Sequence, residues 1–183
     1  MKNTVWIVLF RGVGGKTQLP TAPLRESLTA AGFGNVATYI NSGNAIVSSS
    51  LSRDKTTETI ADICRAEFGF DKDIHLRSRD EWAKLIAQNP FPEAVETPKV
   101  LHAAVLAGDP GTGALEALQA VASRGGEHIA VVDRVAYLHT PNGFGTSKLA
   151  ERFDKTVGVP NTARNWNTVL KLAELADGAA SKN

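Results

Sequence analysis

A strand-helix-strand-strand-helix order of signals runs through this sequence twice, and few architectures accept it. Thr4 to Phe10 is an apolar run rich in Val, Ile, Trp and Phe, bounded by Gly12, Gly14 and Gly15, which predicts a buried strand. Pro20 and Pro23 then open a helix with Leu24, Leu28 and Ala31 on one face, ended by Gly32 and Gly34. Strands over Val36–Ile40 and Ala45–Ser49 flank Asn41-Ser42-Gly43-Asn44, whose Ser-Gly centre suits a tight turn because glycine tolerates positive φ. Arg53 to Phe68 repeats Ile60, Ile63, Cys64 and Phe68 at helical spacing and stops at Gly69. Lys72 to Ser78 alternates Ile74 and Leu76 with His75 and Arg77, the pattern of a half-buried strand. The resulting βαββαβ order is the split βαβ, or ferredoxin-like, unit, in which two helices cover one face of a four-stranded antiparallel sheet.

A short helix, Arg79 to Ala87, presents Trp82, Leu85 and Ile86, and Pro90, Pro92 and Pro98 then mark a linker. The order resumes with a strand over Val100–Ala107 and a helix over Thr112–Ala122. A hairpin of Ile129–Val132 and Val135–His139 follows around Asp133-Arg134, and then a helix over Ser147–Val157. Where a last strand would complete the second unit, the sequence offers Asn165 to Ala176, with Trp166, Val169, Leu170 and Ala173 in a helical stripe. The expectation is an α+β fold of two ferredoxin-like halves with antiparallel sheets, residues 1–89 and 98–183, a linker at 90–97 and a C-terminal helix. The duplication rests on element order, since the halves share no obvious residue identity.

A chain of 183 residues buries roughly 70% of its unfolded surface and folds without a staple. Its single cysteine, Cys64, forms no internal disulfide and offers no CxxC spacing, which points to a reducing compartment. The longest apolar run, Val5 to Phe10, is far short of the ~18 residues that span a bilayer, and Met1-Lys2-Asn3 leads into it without a cleavage site. A cytoplasmic protein with no membrane partner is expected. Net charge is +1, with 11 basic and 9 acidic residues up to position 90 and 9 basic and 10 acidic beyond it. There is no polybasic tail and no acidic arm.

Three loops could carry chemistry. Arg11-Gly12-Val13-Gly14-Gly15-Lys16-Thr17 leaves a strand and precedes a helix, where successive N–H groups can converge on an anion between two cations. A Walker A pattern ending in Gly15-Lys16-Thr17 requires glycine where Phe10 stands, and the dinucleotide fingerprint requires it at Thr17, so ATPase and dehydrogenase chemistry are excluded. A solvated connector is the plain alternative. Gly143-Phe144-Gly145-Thr146-Ser147-Lys148 opens directly into a helix. Capping by Thr146 or Ser147 explains it, and the same N–H groups with Lys148 could also hold a phosphate or carboxylate. Asn161 to Thr168 is dense in donors: Arg164 suits bidentate pairing with a phosphate, and Trp166 starts the apolar stripe of the last helix. No acidic residue lies between Lys155 and Glu174, nor between Met1 and Glu26.

Other chemistry is thin. The four histidines, His75, His102, His128 and His139, show no HExxH and no paired spacing, so no metal site and no cofactor are expected. Ser42 lacks a nucleophile elbow and a base. Trp6 and Phe10 could share a sheet face as in RNA-binding sheets, but Ala45–Ser49 carries no aromatic to stack a base.

In Leu9-Phe10-Arg11-Gly12, Thr38-Tyr39-Ile40-Asn41-Ser42-Gly43-Asn44, Ser147-Lys148-Leu149 and Arg164-Asn165-Trp166-Asn167-Thr168, the chain resembles a widespread bacterial family, domain of unknown function 1697. In that family the first loop is typically Arg-Gly-Ile-Asn-Val-Gly-Gly, two residues longer than Arg11-Gly12-Val13-Gly14-Gly15, and the turn begins with Gln where Asn41 stands here. The resemblance implies an α+β arrangement of two ferredoxin-like halves and brings no established activity, and the fold alone supplies none.

The residues themselves point to binding of a phosphate-bearing ligand, a small molecule such as a nucleotide or a nucleic acid. Arg11, Gly12, Gly15, Lys16, Ser42, Asn44, Ser147, Lys148, Arg164, Asn165 and Asn167 are the candidate contacts, on the supposition that the cations Arg11, Lys16, Lys148 and Arg164 converge. Two other classes remain open: an enzyme acting on a phosphorylated small molecule, with Ser42, Asn44 or Ser147 near the reacting centre, and an interaction module that forms a homodimer through sheet edges or a helix face.

Overall fold

The computed structural model describes residues 3–183. Two compact units emerge: one holds the chain up to Lys84 together with Lys171–Asn183, the other holds Leu85–Leu170. The proline segment expected as a linker forms two short 3-10 turns, Pro92–Glu96 and Pro98–Val100, inside the second unit.

In the first unit, β1 (Thr4–Phe10), α1 (Thr21–Ala30), β2 (Gly34–Thr38), β3 (Asn44–Ser49), α2 (Arg53–Phe68) and β4 (Ile74–Ser78) follow in the βαββαβ order. The sheet runs β2-β3-β1-β4, every pair antiparallel. β1 is apolar without alternation because both of its faces are buried, Val5, Ile7 and Leu9 on one and Trp6, Val8 and Phe10 on the other. The second set joins Leu24 and Leu28 of α1, Ile60 and Cys64 of α2, and Phe70 in one core. Ser52 caps α2 by accepting from the Lys55 N–H at 3.3 Å, satisfying a donor the helix leaves open. Two boundaries differ from expectation. Ala31 follows the end of α1 and is exposed, and β2 ends at Thr38, with a bulge between Gly34 and Ala37, leaving Ile40 outside it.

In the second unit, β5 (Leu101–Leu106), α4 (Ala114–Arg124), β6 (His128–Val132), β7 (Val135–His139), α5 (Lys148–Val157) and β8 (Asn161–Asn165) repeat the order, and the sheet runs β6-β7-β5-β8. Ala104, Leu106, Leu118, Ile129, Leu138, Leu149 and Phe153 form its core. The fourth strand, β8, was not expected. Asn161-Thr162-Ala163-Arg164-Asn165 lacks apolar alternation, and β5 imposes the extended form by pairing with it, Ala103 opposite Arg164 and Val105 opposite Thr162. The mixed α+β fold with two four-stranded antiparallel sheets is therefore more complete in its second half than the sequence pattern suggests. α3 (Arg79–Ala87) and α6 (Trp166–Ala180) are the two remaining helices, and the boundary between units falls inside each of them. Within the first unit, the end of α6 is tied down by Asn35, whose Nδ2 donates to the Ala179 carbonyl at 3.3 Å, and by Asp177, which pairs with Arg79 at 2.6 Å.

Candidate functional site

The loop after β1 meets the turn between β2 and β3 at a contact that admits only glycine. Phe10 donates its N–H to the Gly43 carbonyl at 2.9 Å. A Cβ on Gly43 would lie 2.8 Å from the Phe10 carbonyl oxygen, 2.8 Å from Val13 Cγ2 and 2.9 Å from Phe10 Cβ, and its φ is +82°. The Arg11 loop and the tight turn that carries Ser42 and Asn44 thus adjoin each other.

The loop itself is pinched shut. Gly14 and Thr17 exchange N–H to carbonyl bonds of 2.7 and 2.9 Å, and Gln18 Nε2 donates to the Gly15 carbonyl at 2.6 Å. Arg11 anchors the loop through its N–H to the Asp73 carbonyl at 3.0 Å. Among the described residues, the N–H groups of Gly12, Val13, Gly15 and Lys16 are bonded to no acceptor. Gly12 and Gly15 have positive φ, 69° and 57°, on either side of the bonded Gly14 N–H. Lys16 is exposed and Arg11 half-buried.

Across the contact, Asn44 is buried and serves the turn: its Nδ2 donates to the Tyr39 carbonyl and to Ser42 Oγ, both at 3.1 Å. The Ser42 side chain is exposed beside it. Ile40 is an outlier, a β-branched residue at φ 47° with half its surface exposed. It marks strain at the rim of this surface.

The candidate residues of the second unit are engaged internally. Ser147 caps α5, its Oγ accepting from the Ala150 N–H at 2.9 Å, and Glu127 Oε2 accepts from the Leu149 N–H at 3.2 Å. Glu127 is buried, so the helix terminus read as an anion site already holds a carboxylate of the same unit. Lys148 pairs with Glu151 at 2.7 Å. Arg164 is buried in β8, where its Nη1 donates to Thr162 Oγ1 at 2.7 Å and to the Ala163 carbonyl at 2.8 Å. Burial pushes its guanidinium down to about 10. Asn165 Oδ1 accepts from the Thr168 N–H at 3.0 Å and starts α6, and Asn167 is exposed.

Elsewhere, the first unit has a polar cleft of about 650 Å³ lined by Asn3, Thr4, Ser78, Arg79, Asp80 and Asn183. Among the described residues that line it the one cation is Arg79, which pairs with Asp177 at 2.6 Å and Asp80 at 3.7 Å. Burial pushes the Cys64 thiol up to about 12, far from a reactive thiolate. His102 stacks on Phe144 with ring centroids 3.8 Å apart, and burial pushes it down to about 4. Sequence reasoning treated the histidines singly and missed that His128 and His139 face each other as partners on β6 and β7. The signal was present: every pair across the hairpin is equidistant from Asp133-Arg134, and these two are among them.

Among solved structures, the chain is similar to the conserved bacterial protein SP0830 from Streptococcus pneumoniae, at 22% identity and a TM-score of 0.65. The similarity covers 95% of this chain and 99% of that one, so the two share a fold. No curated protein matches the sequence. No helix among the described residues is long and apolar enough to cross a membrane. The profile of a protein family described as "Protein of unknown function (DUF1697)" matches residues 3–137, a span that includes the Arg11 loop, the Gly43 turn and the first hairpin strand of the second unit. The chain therefore belongs to the DUF1697 family.

Proposed function

We propose that the Arg11–Lys16 loop binds a phosphate-bearing anion, with Arg11 and Lys16 supplying charge and the N–H groups of Gly12, Val13, Gly15 and Lys16 supplying directed donors. The observation that carries this reading is those four N–H groups, unbonded among the described residues and bracketed in sequence by two cations. Charge-assisted bonds to a phosphate are roughly twice as strong as neutral ones, and backbone donors that need no rotamer freezing add to them. In this reading Ser42 at the adjoining turn adds a hydroxyl, and Asn44 donates to that hydroxyl and holds the turn. A net charge of +1 favours a nucleotide-sized ligand over a long nucleic acid, whose binding draws on many cations.

Thermal unfolding with pyrophosphate, nucleoside triphosphates and short oligonucleotides tests it. At a hundredfold excess over Kd, binding adds about 2.7 kcal/mol, a rise of ~5–10 °C for a chain of this size. Lys16→Ala and Arg11→Ala should abolish the rise, and Lys148→Ala should not. No rise with any of these anions, or a rise that survives the double Arg11→Ala, Lys16→Ala variant, removes the reading.

A further inference from the structure

We propose that His128 and His139 form a two-imidazole site for a borderline divalent transition cation such as Zn²⁺, Ni²⁺ or Cu²⁺. The proposal stands on the second unit alone and is independent of the anion site in the first.

The residues are direct partners on adjacent antiparallel strands, so their side chains leave the same face of the sheet. Their ring centroids are 5.8 Å apart with planes inclined by 27°. Two imidazoles that share a tetrahedral cation, each at a nitrogen-to-metal distance of about 2.0–2.1 Å, place their centroids roughly 5 Å apart. The strand pairing holds the two backbones in register, and side-chain rotation alone has to turn a nitrogen of each stacked ring toward a shared ion. His128 is exposed, which gives an ion access, and His139 is half-buried between it and Leu101.

Three further observations favour a cation over plain packing. His139 Nδ1 is buried and bonded to no group among the described residues, and a buried polar nitrogen of this kind calls for a partner. Phe91 lies against both rings, at centroid distances of 6.0 and 5.9 Å, and forms an apolar wall that fixes their orientation and limits competing water. Glu93, two residues further on, is near enough for its charge to act on His139 and to offset the charge of an incoming dication. Imidazole pairs select borderline cations over Mg²⁺ and Ca²⁺, which prefer oxygen. Among the described residues no third His, Cys, Asp or Glu completes a closed cage, so the remaining positions are left to water or an incoming ligand.

Untagged protein is titrated with Zn²⁺ and Ni²⁺ by calorimetry, and the Cu²⁺ form is examined by electron paramagnetic resonance. One ion per chain and a signal from two imidazole nitrogens are expected. His128→Gln, at an exposed position that should leave folding intact, loses about tenfold or more in affinity, because even an outer-shell partner of a metal is worth roughly 10–100-fold. Its copper signal shows one imidazole. His139→Gln shows the same loss, with circular dichroism as the check on folding. Absence of stoichiometric binding, or affinity unchanged in His128→Gln, overturns the proposal.

Discussion

Replacing Gly43 with alanine tests whether the contact between the first loop and the turn organises the candidate site. Two costs add. The backbone at φ +82° leaves an L-residue in the left-handed region, about 1–2 kcal/mol. The new methyl must also fit within 2.8 Å of the Phe10 carbonyl oxygen and of Val13 Cγ2. The carbonyl belongs to the backbone of β1 and cannot swing aside, so the turn must retreat. That movement stretches the 2.9 Å bond from Phe10 N–H to Gly43. Overpacking of this kind costs about 1–3 kcal/mol, for a total of about 2–5 kcal/mol. Gly15→Ala is the internal control: its φ is +57° but nothing lies within 4 Å of the added carbon. It should carry the conformational cost alone, about 1–2 kcal/mol. Urea unfolding followed by tryptophan fluorescence reads the difference as a lower midpoint at unchanged slope. If Gly43→Ala is no more destabilising than Gly15→Ala, the steric argument fails, and with it the claim that the turn holds the loop.

His102 gives a pH signature. Its ordinary value is near 6.5 and burial lowers it to about 4, so between those values the unfolded chain takes up a proton that the folded chain refuses. The stability present above pH 6.5 is therefore lost progressively down to pH 4, by up to about 3 kcal/mol, and levels off below. His102→Phe should remove that part of the slope in urea midpoints measured from pH 7 to pH 4, and an unchanged slope refutes the assignment. Glu127→Ala leaves the Leu149 N–H at the start of α5 without its acceptor; a loss of about 1–2 kcal/mol is expected, with the midpoint again as the measure.

The elements that the sequence revealed are those whose side chains decide their fate. β1 reads as a strand because all of its apolar residues are buried, and α2 reads as a helix because its Ser52 cap and its apolar stripe agree. β8 escaped because its side chains are polar and its conformation is supplied by β5, a partner about 60 residues away that local pattern cannot show. Site residues follow the same division. The segment from Arg11 to Lys16 was legible as a donor-rich loop. Arg164 was legible as a cation but not as a buried one, since burial is a property of the sheet it joins. Ser147 and Lys148 were legible as a helix start, and the carboxylate that occupies that start, Glu127, sits about 20 residues earlier, beyond the reach of spacing arguments. The histidine pair lay between these cases, readable once the two-residue turn at Asp133-Arg134 fixes the register.

The boundary between units lies inside α3 and again inside α6, so the second unit is an insertion into the first, and this sets the order of events during synthesis. Residues 85–170 form one uninterrupted stretch that can close as soon as it leaves the ribosome. The first unit has its four strands and its core between Thr4 and Ser78, and its last ties, Asp177 to Arg79 and Asn35 to the Ala179 carbonyl, form only when the final helix arrives. The half that is born first thus receives its last contacts after the inserted half has left the ribosome.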